Sequence, residues 1–103
     1  MASSKDYLIF ILDQLSGLDD ISYRYMMGEY ILYYRGRIFG GIYDDRFLVK
    51  PVEAAKIRMP DAGMERPYEG GKEMILVDRV ENRDFLQELV EAMYPELPVR
   101  KMK

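Results

Sequence analysis

Three residue pairs with tight-turn character, Met27-Gly28, Arg35-Gly36 and Asp44-Asp45, fall at near-regular intervals through a stretch rich in Tyr, Ile and Phe. Short aromatic and β-branched runs separated by two-residue turns are the pattern of antiparallel hairpins. Four consecutive strands are expected here: Ile21 to Met26, Glu29 to Tyr34, Arg37 to Tyr43 and Arg46 to Lys50. No other feature constrains the fold as strongly, because a meander with an apolar face must find something to cover it.

The flanking segments supply the cover. Leu8, Ile11, Leu12 and Leu15 recur at helical spacing, Ser3 or Ser4 stands where an N-cap is needed, with Asp6 following in a capping-box arrangement, and Ser16-Gly17 breaks the pattern. Pro51 suits the first position of a short helix running to Met59, before Pro60 stops it. The segment from Asp61 to Gly71, with Gly63, Pro67 and Gly70-Gly71, reads as a loop, and Lys72 to Arg79 as a fifth strand. Asn82 caps a last helix in which Phe85, Leu86, Leu89, Val90 and Met93 share a face until Pro95. The expected fold is thus α+β and two-layered, with helices packed on one face of a four- to five-stranded antiparallel sheet in the order α-β-β-β-β-α-β-α. Residues 1–103 form a single domain in this scheme, with loose termini at 1–3 and 99–103.

Composition narrows the function. A chain of 103 residues, 49% of them hydrophobic, can bury a core without metals or crosslinks. Its 15 basic residues against 18 acidic ones leave a net charge of -3, so any basic site must be local. There is no cysteine, which removes disulfides and thiolate chemistry and makes a cytoplasmic address the default expectation. The apolar run from Tyr7 to Leu12 is too short for a signal peptide or a membrane span, so no membrane partner is expected.

Catalysis finds little to work with. Histidine, cysteine and threonine are all missing, so neither a Ser-His or Cys-His arrangement nor an ordinary zinc site has its parts. Asp19-Asp20 and Asp44-Asp45 are adjacent acidic pairs, yet both fall where turns are expected. Gly40-Gly41 sits inside a strand with no helix close behind, which suits a bulge or the close approach of another backbone rather than a phosphate cradle. Lys50, just ahead of the middle helix, could hold an anion, although a Lys at a strand end is usually just solvated. No enzyme activity, cofactor or metal is expected.

If all three turns are two-residue hairpins, Tyr25 faces Tyr30, Tyr23 faces Leu32, Leu32 faces Phe39, and Phe39 faces Lys50. One sheet face then carries Ile31, Ile38, Ile42, Phe47 and Val49, with Tyr33 and Met26 at its margin, and is expected to be the core side. The other carries Tyr23, Tyr25, Tyr30, Tyr34, Phe39 and Tyr43 together with Arg37, Arg46 and Lys50. Such an aromatic and basic array suits a protein interface, including self-association into a homodimer, or a platform for single-stranded nucleic acid. A third alternative is that a loop or the middle helix covers it as a minor second core. These nine residues are the candidate partner-binding site, with a protein partner favoured over nucleic acid because of the acidic net charge.

The stretch from Met26-Met27-Gly28 through Arg35-Gly36-Arg37 and Gly40-Gly41 to Asp44-Asp45-Arg46 and Lys50 resembles the hallmark segment of the TfoX N-terminal domain family, also called TfoX/Sxy. In that family a Met-Phe-Gly-Gly-like opening precedes two strands joined at a Gly, then Asp-Asp-Arg and a strand ending in Lys. Here Met27 and Glu29 replace the aromatic and the second glycine of the opening. The resemblance implies a two-layer α+β fold with an antiparallel sheet, no known catalytic residues, and a link to natural-competence and transcription regulation through a factor of the cyclic-AMP receptor type. The separate carboxy-terminal helical domain of the longer competence regulators has no counterpart in these 103 residues, so the resemblance is to a stand-alone member.

Overall fold

A computed structural model describes residues 4–98. The chain runs α1 (Lys5–Gln14), β1 (Ile21–Met26), β2 (Glu29–Tyr34), β3 (Arg37–Tyr43), β4 (Arg46–Val49), α2 (Glu53–Arg58), β5 (Met64–Glu65), β6 (Met74–Leu76) and α3 (Arg83–Met93), closing with a 3-10 turn over Tyr94–Glu96. All strand pairs are antiparallel and the sheet order is β1-β2-β3-β4-β6-β5. Among the described residues the sheet therefore has six strands. The additional one, β5, is only two residues long and comes from the segment expected to be loop.

The turn pairs do what their positions demand. Met27 and Gly28, Arg35 and Gly36, and Asp44 and Asp45 all adopt positive φ, the geometry of two-residue hairpin turns whose twist matches that of the strands they join. Between β2 and β3, however, the register shifts: Leu32 pairs with Gly40 and Tyr33 with Ile38, leaving Phe39 as the extra residue of a bulge. The glycines beside it allow this. A Cβ on Gly40 would lie 2.2 Å from the Leu48 carbonyl oxygen, and one on Gly41 would lie 2.6 Å from that of Tyr30. The expectation of a bulge or close backbone approach at Gly40-Gly41 holds on both counts.

All three helices contribute to one apolar layer. Leu8, Ile11 and Leu15 from the first helical segment, Ala54, Ala55 and Met59 from the second, and Leu86, Leu89, Val90 and Met93 from α3 form a continuous core with Leu32, Phe39, Ile42, Phe47, Val49 and Ile75 of the sheet. Each helix is fastened at its ends. The Ser4 hydroxyl accepts from the Tyr7 amide at 3.2 Å and the Asn82 side chain accepts from the Phe85 amide at 3.0 Å. Pro51 is not the first helical residue: Val52 is the N-cap, and its amide closes a tight turn back to the Lys50 carbonyl at 2.8 Å. The start of α2 is instead capped from a distance by Glu96, whose Oε1 accepts from the Ala54 amide at 2.8 Å. Gln14, buried at the end of α1, donates to the Val80 carbonyl at 2.8 Å, and Gln87 donates to the Gln14 carbonyl at 3.0 Å, so α1 and α3 are joined by hydrogen bonds as well as by packing. Ser3, the alternative N-cap, and the termini 1–3 and 99–103 expected to be loose lie outside the described residues. No helix among those described is long and apolar enough to cross a membrane.

Candidate interaction surface

The bulge at Phe39 decides where the aromatic residues go. Strict alternation from the turns would keep Tyr23, Tyr25, Tyr30, Tyr34, Arg37, Phe39, Tyr43, Arg46 and Lys50 on one face. One inserted residue reverses the phase of everything after it. Pairing of Tyr30 with Ile42 and of Leu32 with Gly40 places the first six of those residues on the helix-covered side, and Tyr43, Arg46 and Lys50 on the opposite, open side. The expected single aromatic and basic face is thus divided between the two sides of the sheet.

Burial follows the division. Tyr30, Tyr34 and Phe39 are core residues. Tyr43 is buried as well, on the open side, where its ring lies back over Gly41. Arg37 stacks its guanidinium 4.3 Å from the Tyr94 ring centre and donates to the Tyr94 carbonyl at 3.0 Å. Arg46 pairs with Glu65 and donates through Nε to the Tyr43 carbonyl. These two arginines tie parts of the fold together. Lys50 is half-buried at the edge of the open face. Of the nine candidates, only Tyr23 and Tyr25 present exposed rings, 44% and 60% accessible, and both belong to the edge strand β1.

Conversely, the residues expected to form the core side separate too. Ile42, Phe47 and Val49 are buried under the helices, whereas Met26, Ile31, Tyr33 and Ile38 lie on the open face. A loop covers part of that face. Pro67 and Gly71 are buried within it, the Gly71 amide donates to the Tyr68 carbonyl at 3.0 Å, and Arg66 donates to the Gly71 carbonyl at 3.0 Å. Beneath and beside this loop Tyr43 and Leu48 are buried. The β1-β2 half stays open, with a cleft of about 500 Å³ between Met26, Met27, Ile31, Tyr43 and Tyr68. Met27 at the hairpin tip is 94% exposed and Tyr68 63%.

Sequence reasoning missed Met26, Met27, Ile31, Ile38 and Tyr68 as surface residues. The signal was present in Gly40-Gly41: a bulge placed there flips Ile31 and Ile38 outward relative to Ile42.

The electrostatics of the surface are mild. Burial, and then the neighbouring Tyr68, Glu29 and Tyr33, push the Tyr43 phenol up to about 12. Tyr7 is raised by burial and by Asp45. Asp19 receives a hydrogen bond from Arg35 at 3.2 Å, which raises the already high pKa of that guanidinium, and Asp45 accepts from the Ser4 amide at 2.7 Å. Among the described residues no group of three or more His, Cys, Asp or Glu could hold a metal ion.

A family model described as the TfoX N-terminal domain matches residues 13–94. An uncharacterised 12.7 kDa protein in the trpE 5′ region of Spirochaeta aurantia is 30% identical over 102 residues, covering 98% of this chain and 89% of the relative. No solved structure matches the chain.

Proposed function

Because the chain belongs to the TfoX N-terminal domain family, we propose that it is a non-catalytic regulatory module that binds a protein along the β1 side of its sheet, in the competence and transcription setting the resemblance implies. One observation carries this. β1 is a full-length strand at the end of the sheet, and Tyr23, Tyr25 and Met26 along it are all exposed. An uncovered edge strand offers a row of main-chain donors and acceptors to an incoming strand, and exposed aromatic rings are what protein interfaces enrich.

The chemistry agrees. Both acidic pairs serve turns: Asp20, Asp44 and Asp45 have positive φ, while Asp19 is engaged by Arg35. Single-stranded nucleic acid is less well served than the sequence suggested, since Arg37 and Arg46 are tied to Tyr94 and Glu65 and the stacking rings Tyr30, Tyr34 and Phe39 are in the core.

A library of random twelve-residue peptides, panned against the protein immobilised at low density, tests the proposal. Enriched peptides should bind the native chain and lose binding to Tyr23→Pro, which deletes one outward amide at an edge position that tolerates proline. Peptides indifferent to that substitution, or no enrichment at all, would contradict a binding edge at β1.

A further inference from the structure

The hydrogen-bond phase of β1 can be read from its hairpin. β1 and β2 pair without a break from Met26 with Glu29 to Ile21 with Tyr34, and the Asp20 carbonyl accepts from the Arg35 amide at 3.0 Å in the same register. In an antiparallel ladder the bonded pairs alternate, so Ser22, Arg24 and Met26 bond to β2, while Ile21, Tyr23 and Tyr25 turn their main-chain groups outward. Resting on the protein-binding function proposed above, we infer that the occupant of this edge is a second copy of the chain, joined β1 to β1 about a two-fold axis through Tyr23.

Self-complementarity argues for that occupant. Two copies of β1 running antiparallel must match outward-facing residues with outward-facing residues. Of the registers that do so, the one pairing Tyr23 with the partner's Tyr23 engages all three positions on each strand, since Ile21 then meets the partner's Tyr25. It also sets Arg24 across from the partner's Ser22, so no like charges face each other directly.

Packing points the same way. Antiparallel pairing about an axis normal to the sheet keeps both helix layers on one side. The partner's Tyr25 then stands beside Ile21, next to an open groove of about 520 Å³ between the end of the first helical segment and β1, lined by Leu12, Leu15, Leu18, Ile21 and Tyr23. An aromatic ring fills such a groove at little conformational cost.

The two ends of the sheet differ in a way that singles out β1. β5 is two residues long and Arg46 pairs with Glu65 there. β1 has six residues, no bulge and neither proline nor lysine, so it lacks the usual devices that blunt an edge apart from Arg24. Pairing two copies turns two six-stranded sheets into one continuous sheet with β1 at its centre.

The chain has no cysteine, which makes a register test clean. Light scattering across a concentration series should approach twice the 12.1 kDa chain mass, and Tyr23→Pro, which removes two symmetric amide donors from the dimer, should weaken association by about thirtyfold or more. In the inferred register position 22 faces position 24 as a non-bonded pair, with Cα atoms about 4.5 Å apart, within reach of a disulfide. Ser22→Cys combined with Arg24→Cys should therefore give a covalent dimer on mild oxidation, and neither single variant should. A dimer that cross-links through the single variants, or through no β1 cysteine, overturns the register. A chain that stays monomeric at every concentration yet still takes library peptides at β1 overturns the self-pairing and leaves the protein-binding function standing; a monomer that takes no peptide overturns both.

Discussion

Tyr43 shows how one side chain reports on the covering loop. It lies on the open side of the sheet, and its phenol is pushed up to about 12 mainly because it is buried. In the unfolded chain a tyrosine titrates near 10. The folded state therefore holds that proton more tightly, so this contribution to stability is complete below about pH 10 and is lost as the pH rises toward 12. Tyr7 adds a contribution of the same sign. Chemical denaturation of the native protein and of Tyr43→Phe at a series of alkaline pH values separates the two: the variant should lose less stability across that window. Parallel losses would mean that Tyr43 is open to solvent and that the loop does not lie over it. At this same scale, Tyr30, Tyr34 and Phe39 could not be assigned correctly from residue type alone, since an aromatic ring suits a core and an interface equally well.

Strands and helices were more legible than faces. The periodicity of Leu8, Ile11 and Leu15, the Asn82 cap and the three turn pairs locate α1, α3 and the meander to within a residue or two. β6 is shorter than the strand expected from Lys72 to Arg79: the ladder with β4 and β5 covers Met74–Leu76, and Val77 adds one further bond, from its amide to the Phe47 carbonyl at 3.0 Å. β5 itself left no signal, since Met64 and Glu65 become a strand only by pairing with β6. Face assignment failed for one reason: alternation carries no internal check against a single inserted residue. The Gly40-Gly41 pair held that information, and its backbone contacts make the claim testable. Gly40→Ala would drive a methyl group into the Leu48 carbonyl, where the neighbouring atoms are backbone and cannot yield, so a loss of about 1–3 kcal/mol is expected. Phe39→Ala should cost about 3–5 kcal/mol, as for a buried aromatic, when measured by urea unfolding. A Phe39→Ala protein of unchanged stability would restore the unbulged register and with it the exposed aromatic face.

At the scale of the fold, the helix layer closes one side of the sheet, the loop over residues 66–73 closes part of the other, and among the described residues β1 remains as the uncovered end. That asymmetry could not be read from composition. A net charge of -3 and a large share of tyrosine describe the chain without saying which rings are buried. The six-stranded sheet ends in β1, and that edge is the candidate for recognition. Amide hydrogen exchange resolved residue by residue along β1, at several protein concentrations, tests this most directly. Ser22 and Arg24, bonded to β2, should be protected at every concentration, whereas Ile21, Tyr23 and Tyr25 should exchange quickly when dilute and become protected as concentration rises. Fast exchange of those three amides at all concentrations would contradict a self-pairing edge.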